Sequence, residues 1–117
     1  MGTVLGRWRD AVADIVDERF FPLEWVETEI EAGRITLVEN DAAVIGIQRR
    51  EYPGGAVELH GMFAAGEVEG ISALVDEVIA AAEGYDVAVI ESRAGWARLF
   101  KAKGFEVDRI RIVKELG

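Results

Sequence analysis

Apolar residues open the chain at helical spacing. From Val4 to Val16 they fall at Leu5, Trp8, Val12 and Ile15, which predicts a helix with one buried face. "DERFFP" interrupts the pattern, and Pro22 is suited to the first position of a second helix. Leu23, Val26 and Ile30 supply that helix with an apolar stripe, and Gly33 ends it. The period then drops to two. "RITLV" sets Ile35 and Leu37 on one face, and "END" turns the chain. "AAVIGIQRREY" sets Ile45 and Ile47 against Val44 and Gln48. "YPGG" is a strong turn, because Pro53 presets φ and the glycines accept positive φ. The returning strand "AVELHGMFA" alternates Val57, Leu59 and Phe63 with Glu58, His60 and Met62.

Helical spacing returns from Glu67 to Glu83. Val68, Ile71, Leu74, Val75, Val78, Ile79 and Ala82 form one stripe, and Gly84 stops it. "YDVAVIE" is a continuous apolar run, as in a strand covered on both faces. Trp96, Leu99 and Phe100 share one side of a short helix closed by Gly104. "FEVDRIRIVKEL" reads as a last strand whose alternation changes phase, with a bulge expected near Asp108–Arg109. The predicted order is ααβββαβαβ: an α+β fold with a mixed sheet of about five strands, helices on both faces, and one domain over residues 1–117.

Composition narrows the chemistry. The chain has no cysteine, which removes disulfides, thiolate metal sites and thiolate catalysis. No apolar run approaches the roughly 18 residues of a membrane span, and the first residues lack a signal-peptide core, so a cytoplasmic protein without a membrane partner is expected. The net charge is −9, unevenly spread. Residues 1–92 hold 6 basic and 19 acidic residues (−13), and residues 93–117 hold 7 basic and 3 acidic (+4). The acidic body argues against nucleic acid, which needs phosphate-neutralising surface. The basic end either faces an anion or pairs with the acidic body.

The stretch "ESRAGWARLFKAKGFE" carries a resemblance. Arg98, Leu99, Phe100, Gly104 and Phe105 resemble the ending of the GCN5-related N-acetyltransferases (GNAT), where a helix precedes a Gly-Phe strand entry. Glu91, Arg93, Gly95, Trp96 and Arg98, with Gly33-Arg34-Ile35 and the "KEL" end, are similar to a group of short phage and prophage proteins of GNAT-like fold. The resemblance implies a GNAT-like sheet lacking the family's first strand.

The resemblance also implies a chemistry: acetyl transfer from acetyl-CoA to an amine. The pyrophosphate loop of such enzymes corresponds to "FAAGEVEG", making Phe63, Ala64, Ala65, Gly66 and Gly70 the candidate cofactor residues. Backbone N–H groups at a helix start suit a phosphate. Here the loop is degenerate, since its basic residue is missing and Glu67 and Glu69 occupy the positive helix end. Glu58, where similar enzymes often carry a catalytic glutamate, shares a strand face with His60, and the two are the candidate bases. The bland alternative pairs Glu58 with Arg49 or Arg50 and leaves His60 a half-buried sheet residue. Arg93, just after a strand end, is a candidate anion contact or a partner of Glu91. No metal site is predicted. Phe100 stands where the family usually has a proton-donating tyrosine, and phenylalanine cannot donate. Trp96 reads as core.

Two functions follow. One is an acetyl-CoA-dependent N-acetyltransferase acting on an amine. The other is a non-catalytic module for phage particle assembly or protein binding, cytoplasmic or virion-associated, with a phage or host protein as partner. The missing first strand leaves an open sheet edge that could pair with another chain, giving a homo-oligomer.

Overall fold

Asn40 organises the centre of the structure, a computed structural model that describes residues 4–91 and 94–117. Its Oδ1 accepts the N–H groups of Ala42 and Ala43 at 2.9 and 2.8 Å, which closes the turn between β1 (Thr36–Glu39) and β2 (Ala43–Glu51). Its Nδ2 donates to the Gly70 carbonyl at 3.0 Å, in the first turn of α3 (Val68–Ala80). One side chain thus fixes a hairpin and the start of the helix that crosses it.

The chain begins with a 3-10 turn, Gly6–Trp8, that runs into α1 (Arg9–Ile15). Leu5, Trp8 and Val12 are buried as their spacing predicts, whereas Ile15 is half exposed. Pro22 sits immediately before α2 (Leu23–Glu31), and Gly33, at φ +79°, turns the chain out of it. β2 continues through the Pro53–Gly55 turn into β3 (Val57–Gly66). After α3 come β4 (Val87–Ile90), a 3-10 turn at Ala94–Trp96, and α4 (Ala97–Lys101).

The sheet order is β1-β2-β3-β4, antiparallel except for the parallel pair β3–β4 across the α3 crossover. On one face Val44 and Ala65 pack with Leu5, Trp8, Val12 and Leu23. On the other, Ala43 and Ile45 pack with Ile71, Leu74 and Val75 of α3 and with Phe100 of α4. Helices therefore cover both faces, and the mixed α+β sheet expected from the sequence is present.

Two expectations need correction. The fifth strand is not formed, so the sheet has four strands among the described residues, and residues 105–117 carry no ladder and no bulge. The segment runs instead towards the α1–α2 connection, where Glu115 meets Arg19 and Arg111 lies over Phe20, so no strand receives it. The bulge lies instead in β3. Ile47 pairs with Gly61 and Gly46 with Phe63, leaving Met62 without an opposite residue. Phe63 consequently joins the face of Glu58 and His60 rather than that of Leu59. Gly46 is required there, because a Cβ would overlap the Phe63 ring.

Candidate functional site

Glu58 and His60 sit two residues apart on β3, with their side chains on the α1 face of the sheet. Both are buried, at 6% and 5% exposure, which a carboxylate tolerates only with partners. Glu58 has two. Its Oε2 lies 2.8 Å from His60 Nδ1, and its Oε1 accepts the Tyr52 hydroxyl at 2.7 Å. Arg50 is the cross-strand neighbour of Glu58 but bonds elsewhere, to Gln48 Oε1 at 3.1 Å and Met62 Sδ at 3.6 Å. Arg49 pairs with Glu51. The simple cross-hairpin ion pair of the bland reading is therefore absent among the described residues.

Burial pushes the Glu58 carboxyl up. Hydrogen bonds from Tyr52 and His60, with the charges of His60 and Arg50, outweigh it and hold the group below the ordinary carboxylate range. The same bond raises the Tyr52 hydroxyl, which keeps its proton as the donor. An ionised Glu58 can only accept, so His60 Nδ1 carries the proton towards it. In the neutral ring Nε2 is then the basic nitrogen. Nε2 has no partner among the described residues, and no sealed side-chain nitrogen or oxygen among them lacks one, so Nε2 touches solvent.

Tyr52 is the member of this cluster that sequence reasoning misses. Its signal is parity: Tyr52 lies two residues beyond Arg50, and Arg50 faces Glu58 across the hairpin. The turn fixes it, with Tyr52 N–H donating to the Ala56 carbonyl at 3.0 Å and Gly55 N–H to the Tyr52 carbonyl at 2.9 Å.

The second feature is a gap in the sheet. β3 and β4 pair from Glu58–Val87 to Gly61–Ile90 and then part, β4 ending while β3 continues to Gly66. A cleft of about 1100 Å³ occupies the parting, with Gly61, Met62 and Ala64 on one side and Ile90, Glu91 and Trp96 on the other. Phe63, Ala65 and Gly66 also line it, whereas Gly70, Glu58 and His60 do not. Of the cleft residues, Arg50 faces Glu58 across the hairpin and Gly61 follows His60 in the strand. Arg93 lies outside the described residues. A smaller hollow of about 250 Å³ lies beside Arg34, Arg49 and Tyr85, and both arginines are already paired, with Glu29 and Glu51.

The glycines of the β3–α3 connection answer to packing. Gly66, at φ +111°, lies so close to Ala42 and Ala43 that a Cβ would overlap their backbone. A Cβ on Gly70 would stand 2.8 and 2.9 Å from the Cβ atoms of Ala42 and Ala43. Glu67 N–H is taken by the Ala42 carbonyl at 3.0 Å. The N–H groups of Val68, Glu69 and Gly70 have no intrahelical acceptor, as at any helix start, and none of the three residues lines the cleft. Glu67 and Glu69 are exposed beside them. The backbone thus fits a phosphate and the side-chain charge opposes it. At α4, Phe100 is buried, stacked on Trp96 at 6.2 Å and edge-on to Phe105 at 5.4 Å. Trp96 itself is half-buried against the core.

No protein-family model and no curated protein matches this sequence. Solved structures do match. An acetyltransferase of Trypanosoma brucei superposes with a TM-score of 0.67 at 10% identity, covering 92% of this chain and 89% of that one. This is a GNAT-like fold. Glucosamine-6-phosphate N-acetyltransferase of Arabidopsis thaliana matches at TM-score 0.61 and 10% identity, over 94% of this chain and 89% of its own. The Thermus thermophilus protein TTHA1254 matches at TM-score 0.58 and 17% identity, over 82% of this chain and 80% of its own. At such identities the likeness establishes the GNAT-like fold and leaves activity to the site. No helix among the described residues is long and apolar enough to cross a membrane, and no group of three or more metal-ligating side chains occurs among them.

Proposed function

We propose that this chain is an N-acetyltransferase that works in the cleft where β3 and β4 part. The parting carries the reading: it opens a space that reaches Gly66 and Ile71 at the start of α3, in a fold shared with acetyltransferases. Acetyl-CoA, when bound, supplies the acetyl group as a thioester. The N–H groups of Val68, Glu69 and Gly70 would hold its phosphates, with Ala64, Ala65 and Gly66 beside its arm and Phe63 at the cleft wall.

The residues of the chain handle the proton. An amine attacks a carbonyl only after losing its ammonium proton, so a base is required. His60 Nε2 is that base, reached through a water from the floor at Gly61 and Met62. Glu58 holds Nδ1–H and stabilises the imidazolium, and Tyr52 fixes the other carboxylate oxygen. His60, once protonated, is also the proton donor, so no tyrosine is needed at position 100. The amine acceptor is cationic in this reading, in keeping with Asp14, Asp17 and Glu91 at the cleft.

Titration calorimetry with acetyl-CoA tests the proposal. One-site micromolar binding is expected. A folded sample that binds nothing at millimolar ligand removes it. The second reading is a non-catalytic phage particle-assembly or protein-binding module, supported by the two carboxylates on the α3 turn, by Phe100, and by the Glu91, Gly95, Trp96 and Arg98 pattern.

A further inference from the structure

The smaller hollow, of about 250 Å³, has a chemistry of its own. Its floor is apolar, made by Ile47 and Leu59, and these are the two residues it shares with the cleft. Its rim is polar: Arg34, Arg49, Thr36 and Tyr85, none of which lines the cleft. It lies towards the starts of β1 and β4, beyond the end of the sheet at which β3 and β4 part.

Strand register brings the two arginines together. Thr36 pairs with Ile47, so the β1–β2 register carried two residues further sets Arg34 opposite Arg49, and Arg49 in turn pairs with Leu59. Like charges at facing positions repel, so each arginine stands beside a carboxylate. Those pairs leave donors over. Arg34 gives Nε, at 2.6 Å, and Nη2 to the same oxygen, Glu29 Oε2. Arg49 gives Nη1 to Glu51 Oε1 at 2.8 Å, and both of these side chains are more than half exposed. Exposed pairs of that kind contribute little and exchange partners readily. Arg34 Nη1, Arg49 Nε and Nη2, and the hydroxyls of Thr36 and Tyr85 have no partner among the described residues. Residues 1–92 hold only six basic residues, and two of them meet here, so on this acidic body the hollow concentrates positive charge.

We infer that the hollow binds a small carboxylate with an apolar or aromatic body. The planar guanidinium forks match a carboxylate, and the two hydroxyls can donate to the same oxygens. The body of the ligand would lie on Ile47 and Leu59 beside the Tyr85 ring. Inorganic phosphate would leave that floor without an apolar partner. The volume is that of about eight liquid waters, which is the size of one ring carrying one carboxylate. This inference is independent of the acetyltransferase reading.

Two-dimensional ¹H–¹⁵N NMR of the full chain, titrated with sodium benzoate to about 20 mM at constant ionic strength, tests it, because a ligand of this size binds in the millimolar range. Saturable one-site shifts are expected at the backbone N–H groups of Gly33, Arg34, Arg49 and Tyr85, with residues 64–66 of the cleft unmoved. Arg49→Gln should weaken binding about tenfold, since a charged hydrogen bond is lost. Arg49 is exposed, so the rest of the spectrum should stay in place. No saturable shift overturns the inference, as do shifts centred on residues 64–66 or an unchanged affinity in Arg49→Gln. Benzyl alcohol binding as well as benzoate would show that the arginines take no part. Inorganic phosphate binding as tightly would show that the apolar floor takes none. Either result overturns the inference too.

Discussion

Tyr52 donates its hydroxyl to Glu58 Oε1 at 2.7 Å, from the hairpin tip to the neighbouring strand. The bond fixes one carboxylate oxygen while the other faces His60, so the histidine ring is oriented by a carboxylate that cannot swing. Tyr52→Phe should lower any acetyl transfer rate by about tenfold through loss of that bond, and Glu58→Gln by ~10²-fold or more, since it leaves the base His60 unoriented and general-base contributions are of that size. Steady-state rates with a fixed amine measure both. Equal rates in wild type and Glu58→Gln would exclude the cluster from the chemistry.

Acid stability reports the same carboxylate. Its folded pKa lies below the ordinary 4.5, so the unfolded chain takes up this proton first as pH falls. The stabilisation is complete above the ordinary value and disappears as pH drops through the lowered one. Urea unfolding between pH 6 and 3 should show a decline in that window that is shallower in Glu58→Gln. Parallel curves would mean that Glu58 titrates alike in both states.

Gly66 should tolerate no side chain. Gly66→Ala places a Cβ against the Ala42 and Ala43 backbone at a φ that disfavours it, and of order 3 kcal/mol of stability should be lost. Gly54→Ala, where a Cβ meets nothing within 4 Å, should change stability by less than ~1 kcal/mol. Chemical denaturation of the pair separates packing from any ligand effect.

The α3 turn predicts an unusual salt response. If Glu67 and Glu69 oppose the phosphates, Glu67→Gln and Glu69→Gln together should tighten acetyl-CoA binding several-fold. Moderate salt should weaken wild-type binding little, because it screens the repulsion along with the attraction. Calorimetry of both proteins at two ionic strengths decides it.

Phe100 is core, not donor. Phe100→Ala should cost ~3–5 kcal/mol, as for other buried aromatics. Trp96→Ala should cost less, since its ring is only half-buried. Thermal or urea melts give both values, and a larger loss at Trp96 would reverse the assignment.

The legible parts of this fold are those set by neighbours in sequence. Pro22 and Gly33 bound α2 because each acts on its own backbone. Ile71, Leu74 and Val75 are buried because helical spacing alone puts them on one side. Glu58 and His60 share a face by strand parity, so their meeting is readable from two positions. Tyr52 is not, because its partner is fixed by hairpin register, a property of pairing between strands. The fifth strand fails for a related reason. The apolar alternation of residues 105–117 is local, but a strand exists only where another backbone receives it, and none in the same molecule does. The bulge at Met62 has no local signature either, since it arises from how β2 and β3 align around Gly46.

That bulge gives β3 one residue to spare, like an expansion joint. Glu58 and His60 before it, and Phe63 and Ala65 after it, share a face only because the extra residue absorbs one step of the alternation. In an unbroken strand, residues two apart share a face. Losing Met62 would therefore bring His60 and Phe63 to that spacing and leave every other side chain on the side it now occupies. The strand would shorten without turning over. An added residue finds no such slack. It would need a second bulge, or it would send Glu58 and His60 towards α3 or the Phe63 ring away from its own cluster. Length variation in this strand should thus run one way, with shorter versions keeping the same two faces and longer ones losing them.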